Sequence, residues 1–469
     1  MSEFRLLIDG KPVATADHFP VPNPATGEIV GLAPLATAEH VDRAVSAAAR
    51  AFRSWRATSD ESRRRVCEGL ADRITTSSEE LARLLTLEQG KPLNGLGSRF
   101  ELGGAAAWAR HTSTLELPVE TVQNDAKGRI EIHRRPVGVV ASITPWNWPL
   151  LIAVWHVVPA IRAGNTVVIK PSPLTPLSTL RMVEVMAEGL PPGVLNVVSG
   201  RDDIAPLLTT HPDVAKVVFT GSTETGRKVM AAGAKTLKHL TLELGGNDAG
   251  IVLPDTDPVA VAERLFWGAF LNSGQTCAAL KRLYVPDASY DAFCDTLAGF
   301  AAKVKLGNGL EEESQLGPLQ NPMQFDKVAA MVDQAKAAGA KALLGGNPAE
   351  QRKGHFYPVT LLAEAKAGMR IVDEEQFGPA LPIIRYSDIE DALEQANASS
   401  YALGGSVWSS NPERAWDLAA RLECGTAWVN RHGDIRPDVP FGGIKSSGIG
   451  VEFGRHGLEE YTTIQVLYR

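Results

Sequence analysis

Cys277 is where a chemical reading of this sequence starts. It sits in NSGQTCAA, five residues after Asn272, between the small residues Thr276 and Ala278. The Ser-Gly-Gln-Thr stretch ahead of it reads as a turn. A sulfur so placed is open to a substrate and could serve as a nucleophile. Glu243 closes the apolar run LTLEL and precedes Gly245 and Gly246. A carboxylate at a strand end, partly desolvated, shifts toward the range of a general base. Asn147 lies in TPWNWP (144–149), a rigid corner of two prolines and two tryptophans. Its amide NH2 could bind an oxyanion.

Other stretches suit a phosphate-bearing ligand. In VVFTGSTETG (217–226) a strand runs into a turn and then a helix. Gly221 lets the backbone approach an anion, Ser222 adds a hydroxyl, and the helix N-terminus favours phosphate. The spacing is not G-x-G-x-x-G, so it is not the usual dinucleotide fingerprint. Lys170 ends a strand in VVIKPSPLTP (167–176), where it could reach ribose hydroxyls or a phosphate. In EEQFGP (374–379), Glu375 could hold a ribose and Phe377 a flat ring. PFGGIKSSGIG (440–450) is a Gly-rich loop with no chemistry of its own. Each stretch alone is common in proteins without such chemistry, and Cys67 and Cys294, in helical patterns, read as core. Together they supply a nucleophile, a base, an oxyanion donor and a phosphate turn.

The elements that must position these residues are legible in the rhythm of the chain. The first third carries helix signals. Thr37 can cap AEHVDRAVSAAARAFRSW, Asp60 or Ser62 can start another helix, and Ser78 can cap EELARLLTLEQ, which Gly90 and Pro92 end. From about residue 130, β-branched runs alternate with helical patterns: 138–144, 166–170, 194–198, 215–220, 240–244 and 250–253. That alternation predicts a parallel sheet covered on both faces, with ligands beyond the carboxyl ends of its strands. A second α/β stretch follows from about 256, with strands near 282–285, 404–408 and 426–430. The tail YTTIQVLYR alternates and could pair with RIEIHRRPV.

Composition sets bounds. Lys plus Arg is 47 against 54 Asp plus Glu, a formal charge of −7, which gives no footprint for nucleic acid. The four cysteines form no C-x-x-C pair and match no zinc spacing, so no metal is expected and a reducing compartment is. The N-terminus lacks the pattern of a signal peptide, and no apolar run is long enough for a membrane span. The expectation is a soluble cytoplasmic protein of two or three domains.

The motifs PWNWP, IKPSP, FTGSTETG, LELGG, GQTC, EEQFGP and PFGGIKSSG, in this order, resemble those of the NAD(P)-dependent aldehyde dehydrogenase superfamily. The resemblance spans nearly the whole chain and is strongest to bacterial broad-range, non-acylating members. It implies Cys277 as the nucleophile, Glu243 as the base that activates water, and Asn147 as the oxyanion donor. It implies cofactor contacts from Ile143, Thr144, Trp146, Lys170, Ser172 and Pro173. Gly221, Ser222 and Gly226 match the pyrophosphate turn, and Leu244, Glu375 and Phe377 complete the cofactor set. The aldehyde tunnel falls to Trp148, Leu151, Trp155, Leu271 and Thr276, with Arg431 and Arg436 on a flanking loop.

The implied reaction is oxidation of an aldehyde to the acid through a thiohemiacetal and a thioester on the cysteine. Tryptophans in the tunnel suit an apolar or aromatic aldehyde. The two arginines keep a carboxylated semialdehyde open as an alternative. Relatives that pass the acyl group to coenzyme A generally lack a glutamate at position 243, so hydrolysis is favoured. Many NAD-preferring relatives carry an acidic residue where this chain has Pro173, which leaves NADP open beside a slightly favoured NAD. The fold implied is α/β: a Rossmann-type cofactor domain (1–116 and 137–245), an α/β catalytic domain (246–453) and a small β oligomerisation flap (117–136 and 454–469). Family members are homodimers or homotetramers. A non-catalytic binding protein on the same fold would need a broken set of site residues.

Overall fold

The computed structural model describes residues 3–348 and 353–469; Met1 and Ser2 of the N-terminal segment lie outside that description. Its larger sheet runs in the order Lys11–Val13, Leu6–Ile8, Leu195–Val197, Thr166–Lys170, Val139–Ile143, Val214–Thr220, His239–Glu243 and Gly448–Ile449. The five strands from Leu195–Val197 to His239–Glu243 are parallel. Val139–Ile143 and Thr166–Lys170 are buried along their whole length, which is why they read as unbroken valine-rich runs. Both edges are closed by antiparallel strands, one from the chain's start and one from near its end. The register sets Ile143 beside Lys170 and Phe219, and Thr220 beside Glu243. Four motif-bearing strand ends therefore meet along one edge of the sheet.

Only Leu244–Asn247 separates this sheet from the next, which begins at Asp248–Val252. The second sheet has seven strands, with Leu280–Pro286 and Gly404–Trp408 parallel to Asp248–Val252 on either side. Asp248 pairs with Leu280, so the turn that carries Cys277 comes down beside Gly246. The tail strand Thr462–Tyr468 pairs antiparallel with Gly128–Pro136, as its alternation predicted, and Glu120–Asp125 completes a three-stranded sheet.

Local signals hold with small shifts. Thr37 caps Ala38–Trp55 in a capping box, and Gly90 ends Ser78–Gln89 at φ +96°. Ser59, ahead of both expected positions, caps Asp60–Thr76. Ser78 is inside its helix rather than capping it; Ser77 holds the cap position without a side-chain bond, because its own backbone continues from the preceding helix. Elements absent from the sequence reading include the helices Ser98–Thr114 and Pro322–Ala337 and the strands Thr360–Ala365 and Ala380–Tyr386. Among the described residues, no helix is long and apolar enough to cross a membrane.

Candidate active site

The chain leaves strand Val139–Ile143 through Thr144–Trp148 and enters helix Pro149–Arg162, with Pro149 at its first position. Asn147 is buried in this corner. Its Nδ2 donates to Gln275 O at 3.0 Å, and its own carbonyl accepts from Asn272 Nδ2 at 3.0 Å. Trp148 Nε1 donates to Thr276 Oγ1 at 3.0 Å. The corner is thus stitched to the two residues that precede Cys277.

The cysteine turn is folded by backbone conformations that few residues accept. Asn272 and Ser273 have φ of +52° and +55°, and Gly274 has +73°. A Cβ on Gly274 would lie 2.3 Å from the carbonyl oxygen of Gly378, so only glycine allows the EEQFGP loop to pack there. Cys277 itself is half-buried at the surface of the main apolar cluster. Burial pushes its thiol up to about 12, opposed by the charge of Lys281 and reinforced by Glu243, Glu375 and Asp248. In this state the sulfur holds its proton and needs a base to lose it.

Glu243 lies within electrostatic reach of the sulfur. It is 4% exposed, and among the described residues neither carboxylate oxygen has a hydrogen-bond partner. Burial, with the like charge of Glu452 behind it, holds its pKa well above the usual carboxylate range. Gly246 is required by the backbone it packs on, and Gly245 lies against a side chain. A Cβ on Gly246 would lie 2.6 Å from Cys277 O, and one on Gly245 would lie 2.5 Å from Glu375 Oε2. Gly246 N–H donates to Glu375 Oε1 at 3.0 Å. The LELGG turn passes between the cysteine and the EEQFGP loop and touches both.

The proposed cofactor residues line the edge where the strands end. Ile143 and Thr144 are buried there, and Thr144 Oγ1 has no hydrogen-bond partner among the described residues. Lys170 Nζ donates to Pro171 O at 3.1 Å, and burial pulls its ammonium down to about 8. Ser172 Oγ accepts from Leu174 N at 3.3 Å, shaping the extended segment that holds Pro173. Ser222 caps helix Thr223–Gly233, and a Cβ on Gly226 would lie 2.5 Å from Leu244, so glycine seats this helix against the sheet end. Trp146 and Phe377 meet edge to face with centroids 5.3 Å apart. Spare ammonium and hydroxyl donors, a carboxylate, a capped helix N-terminus and two rings fit the phosphates, riboses and flat ring of a dinucleotide.

On the other side of the cysteine the walls are aromatic. Trp155 meets Phe453 at 4.7 Å and Trp108 at 5.8 Å, and Phe441 stacks on Phe453 at 6.0 Å. Trp148, Leu151, Leu271 and Cys277 belong to the same apolar cluster. The indole N–H groups of Trp108 and Trp155 are buried without a hydrogen-bond partner among the described residues. Arg431 and Arg436 stand apart: both are more than 60% exposed and are paired with Asp434 and Asp438 of their own loop.

Several residues at the site have no sequence signal. Lys91, fully buried, donates to Asn147 O at 2.7 Å and pairs with Glu101, which accepts the Leu150 and Leu151 N–H groups at the helix start. The same holds for Lys281 and Glu452. Gly90 and Pro92 punctuate a helix end, and nothing in that local pattern marks the lysine between them.

The sequence matches the family model described as "Aldehyde dehydrogenase family" over residues 13–467. It is 41% identical over 459 residues to a phenylacetaldehyde dehydrogenase of Pseudomonas fluorescens, covering 95% of this chain and 91% of that protein. It is 39% identical over 482 residues to a chloroplastic betaine aldehyde dehydrogenase of Beta vulgaris, covering 98% and 95%. Among solved structures, a betaine aldehyde dehydrogenase from Staphylococcus aureus in complex with NAD+ superposes with a TM-score of 0.96 at 34% identity, covering 99% and 95%. A crystal structure described as an E. coli NADP dependent enzyme matches with a TM-score of 0.96 at 35% identity, covering 99% and 98%.

Proposed function

The chain belongs to the aldehyde dehydrogenase family, and from that premise we propose that it oxidises an apolar, preferably aromatic, aldehyde to the carboxylic acid with Cys277, Glu243 and Asn147. The observation that carries this reading is Glu243: a buried carboxylate with both oxygens unpartnered and within electrostatic reach of Cys277. Glu243 takes the proton of the Cys277 thiol. Sγ then adds to the carbonyl carbon, and the π pair moves to oxygen. Asn147 Nδ2 meets that oxyanion, and Lys91 and Asn272 hold the Asn147 backbone while it does so. A bound nicotinamide supplies the acceptor for the hydride that an aldehyde must lose to become a thioester. Glu243 releases the thiol proton to solvent, draws a second proton from water as the water attacks the thioester carbon, and passes it to the Cys277 sulfur as the C–S bond breaks and the acid leaves.

The aromatic walls support the substrate class. Trp108, Trp155, Phe441 and Phe453 offer ring edges and faces, and the Pseudomonas fluorescens relative acts, by its name, on phenylacetaldehyde. The semialdehyde alternative is weakened because Arg431 and Arg436 already have carboxylate partners. Acyl transfer to coenzyme A is disfavoured by Glu243, and a binding protein by the complete residue set. For the cofactor we favour NAD slightly, with NADP admitted as well because Pro173 brings no charge against a 2′-phosphate. Four unpaired cysteines suit the reducing cytoplasm.

The test is reduction of NAD and of NADP against aliphatic, aromatic and carboxylated aldehydes, with Cys277→Ala as control. The expected result is turnover with aromatic aldehydes, free acid as product, no gain from coenzyme A, and no turnover by the variant. Activity retained by Cys277→Ala removes the nucleophile assignment; preference for carboxylated aldehydes removes the substrate class. The three-stranded sheet leaves Val122, Ile464, Val466 and Tyr468 exposed, a face we assign to a homodimer or homotetramer. Sedimentation of a monomer at micromolar concentration would remove that assignment.

A further inference from the structure

Lys281 is almost completely buried, and the reaction outlined above leaves it unused. It is the second residue of strand Leu280–Pro286, four positions after the cysteine. Its Nζ donates to Thr276 O at 2.8 Å and Cys277 O at 2.5 Å. The same ammonium lies 3.3 Å from Glu375 Oε1, with its side chain 2% exposed. Its own carbonyl accepts from Gln376 Nε2 at 3.1 Å. One lysine therefore touches the backbone of the cysteine turn and, through both side chain and main chain, the EEQFGP loop 94 residues later.

We propose that Lys281 is a positioning residue that locks the cysteine turn to the Glu375 loop and presents Cys277 with a positive charge behind it. This rests on the roles proposed above for Cys277 and Glu375. The carbonyls of Thr276 and Cys277 point their negative ends at the ammonium. Without it, two inward-pointing carbonyl dipoles and the Glu375 carboxylate would crowd a region that must also hold a thiolate. The other charges facing this region are Glu243 from the first sheet, Asp248 with His432 beside it, and Lys327 from helix Pro322–Ala337 near Glu375. Glu243, Glu375 and Asp248 all oppose ionisation of the sulfur, and Lys281 favours it. The lysine also occupies Glu375 Oε1 together with Gly246 N–H, leaving Oε2, beside Gly245, as the oxygen free for a ribose.

The test reads the sulfur directly. Cys277 alkylation by iodoacetamide is followed by peptide mass spectrometry from pH 6 to 10, beside steady-state kinetics with the preferred cofactor. Lys281→Gln keeps donors for the carbonyls but removes the charge. The expected result is alkylation slowed about tenfold at pH 8, a pH profile displaced upward, and a several-fold rise in cofactor KM. A structural role alone would lower thermal stability without moving the alkylation profile. Glu375→Gln should move alkylation the other way, because it removes an opposing charge and frees Lys281, and it serves if the lysine variant is too unstable to assay. Unchanged profiles in the variants that fold overturn the proposal. If alkylating Cys277 in the wild-type enzyme leaves turnover intact, the proposed function itself fails. If alkylation abolishes turnover while Lys281→Gln keeps the wild-type profile and KM, only the role of Lys281 is lost.

Discussion

Glu243 and Glu375 lie on either side of the Gly245–Gly246 turn, and the same side chain meets opposite treatment. Glu243 has no hydrogen-bond partner for either oxygen among the described residues and is buried near a like charge, so it holds its proton more tightly than an ordinary carboxylate. Glu375 is held by Gly246 N–H and by the Lys281 ammonium. A carboxylate left unsatisfied is suited to exchange protons, whereas one satisfied on a single oxygen is suited to hold a ligand. The sequence distinguishes them only by their followers: Glu243 ends a strand ahead of two glycines, whereas Glu375 sits in a loop ahead of Phe377.

The sharpest way to break this contrast is Glu243→Gln. If Glu243 is the proton acceptor, steady turnover should fall by about two to four orders of magnitude. The first turnover still needs the thiol to ionise, so its rate falls too, most steeply at low pH. At high pH one equivalent of reduced cofactor per active subunit should appear before the reaction stalls at the thioester. Steady turnover near the wild-type rate removes Glu243 from the base role.

Glu375→Gln should have a smaller and different effect. It retains a hydrogen-bond acceptor for Gly246 N–H and loses the charge that meets Lys281. A rise of about tenfold in cofactor KM, with no stalled thioester, is expected for a lost charge-assisted contact. A stalled thioester here would mean that the two carboxylates share the proton chemistry and that the contrast is false.

The parts of the site that the sequence made legible are those written in consecutive residues. Strand ends at Ile143, Lys170 and Thr220 follow from valine-rich runs and that at Glu243 from the leucine-rich LTLEL, and parallel pairing brings them to one edge. The cysteine turn announced itself through Ser-Gly-Gln-Thr. What stayed hidden depends on partners far away in the chain. Lys91 meets Asn147 across 56 residues, and Lys281 meets Glu375 across 94. No spacing marks such pairs, because a buried lysine and a solvated one look alike in sequence. Ser78 shows the limit at short range: it reads as a cap, but the preceding helix ends on Ser77, which takes the cap position and leaves Ser78 inside the helix.

Glu452 offers the finest adjustment of the comparison. Its carboxylate is buried beside His156 Nε2, 3.1 Å away, and its charge adds to burial in raising the pKa of Glu243. A carboxylate with a raised pKa is a base only above that pKa, so turnover limited by Glu243 should climb as pH rises through it. Glu452→Gln removes the like charge and leaves burial in place. The acid limb of kcat should therefore move toward lower pH, while the Glu243→Gln variant should show no limb from this group at all. Cofactor KM should stay near the wild-type value, because Glu452 is not among the charges that act on Cys277 and does not touch Glu375. A limb that moves upward would mean that the His156–Glu452 pair, rather than the like charge, governs how tightly Glu243 holds its proton.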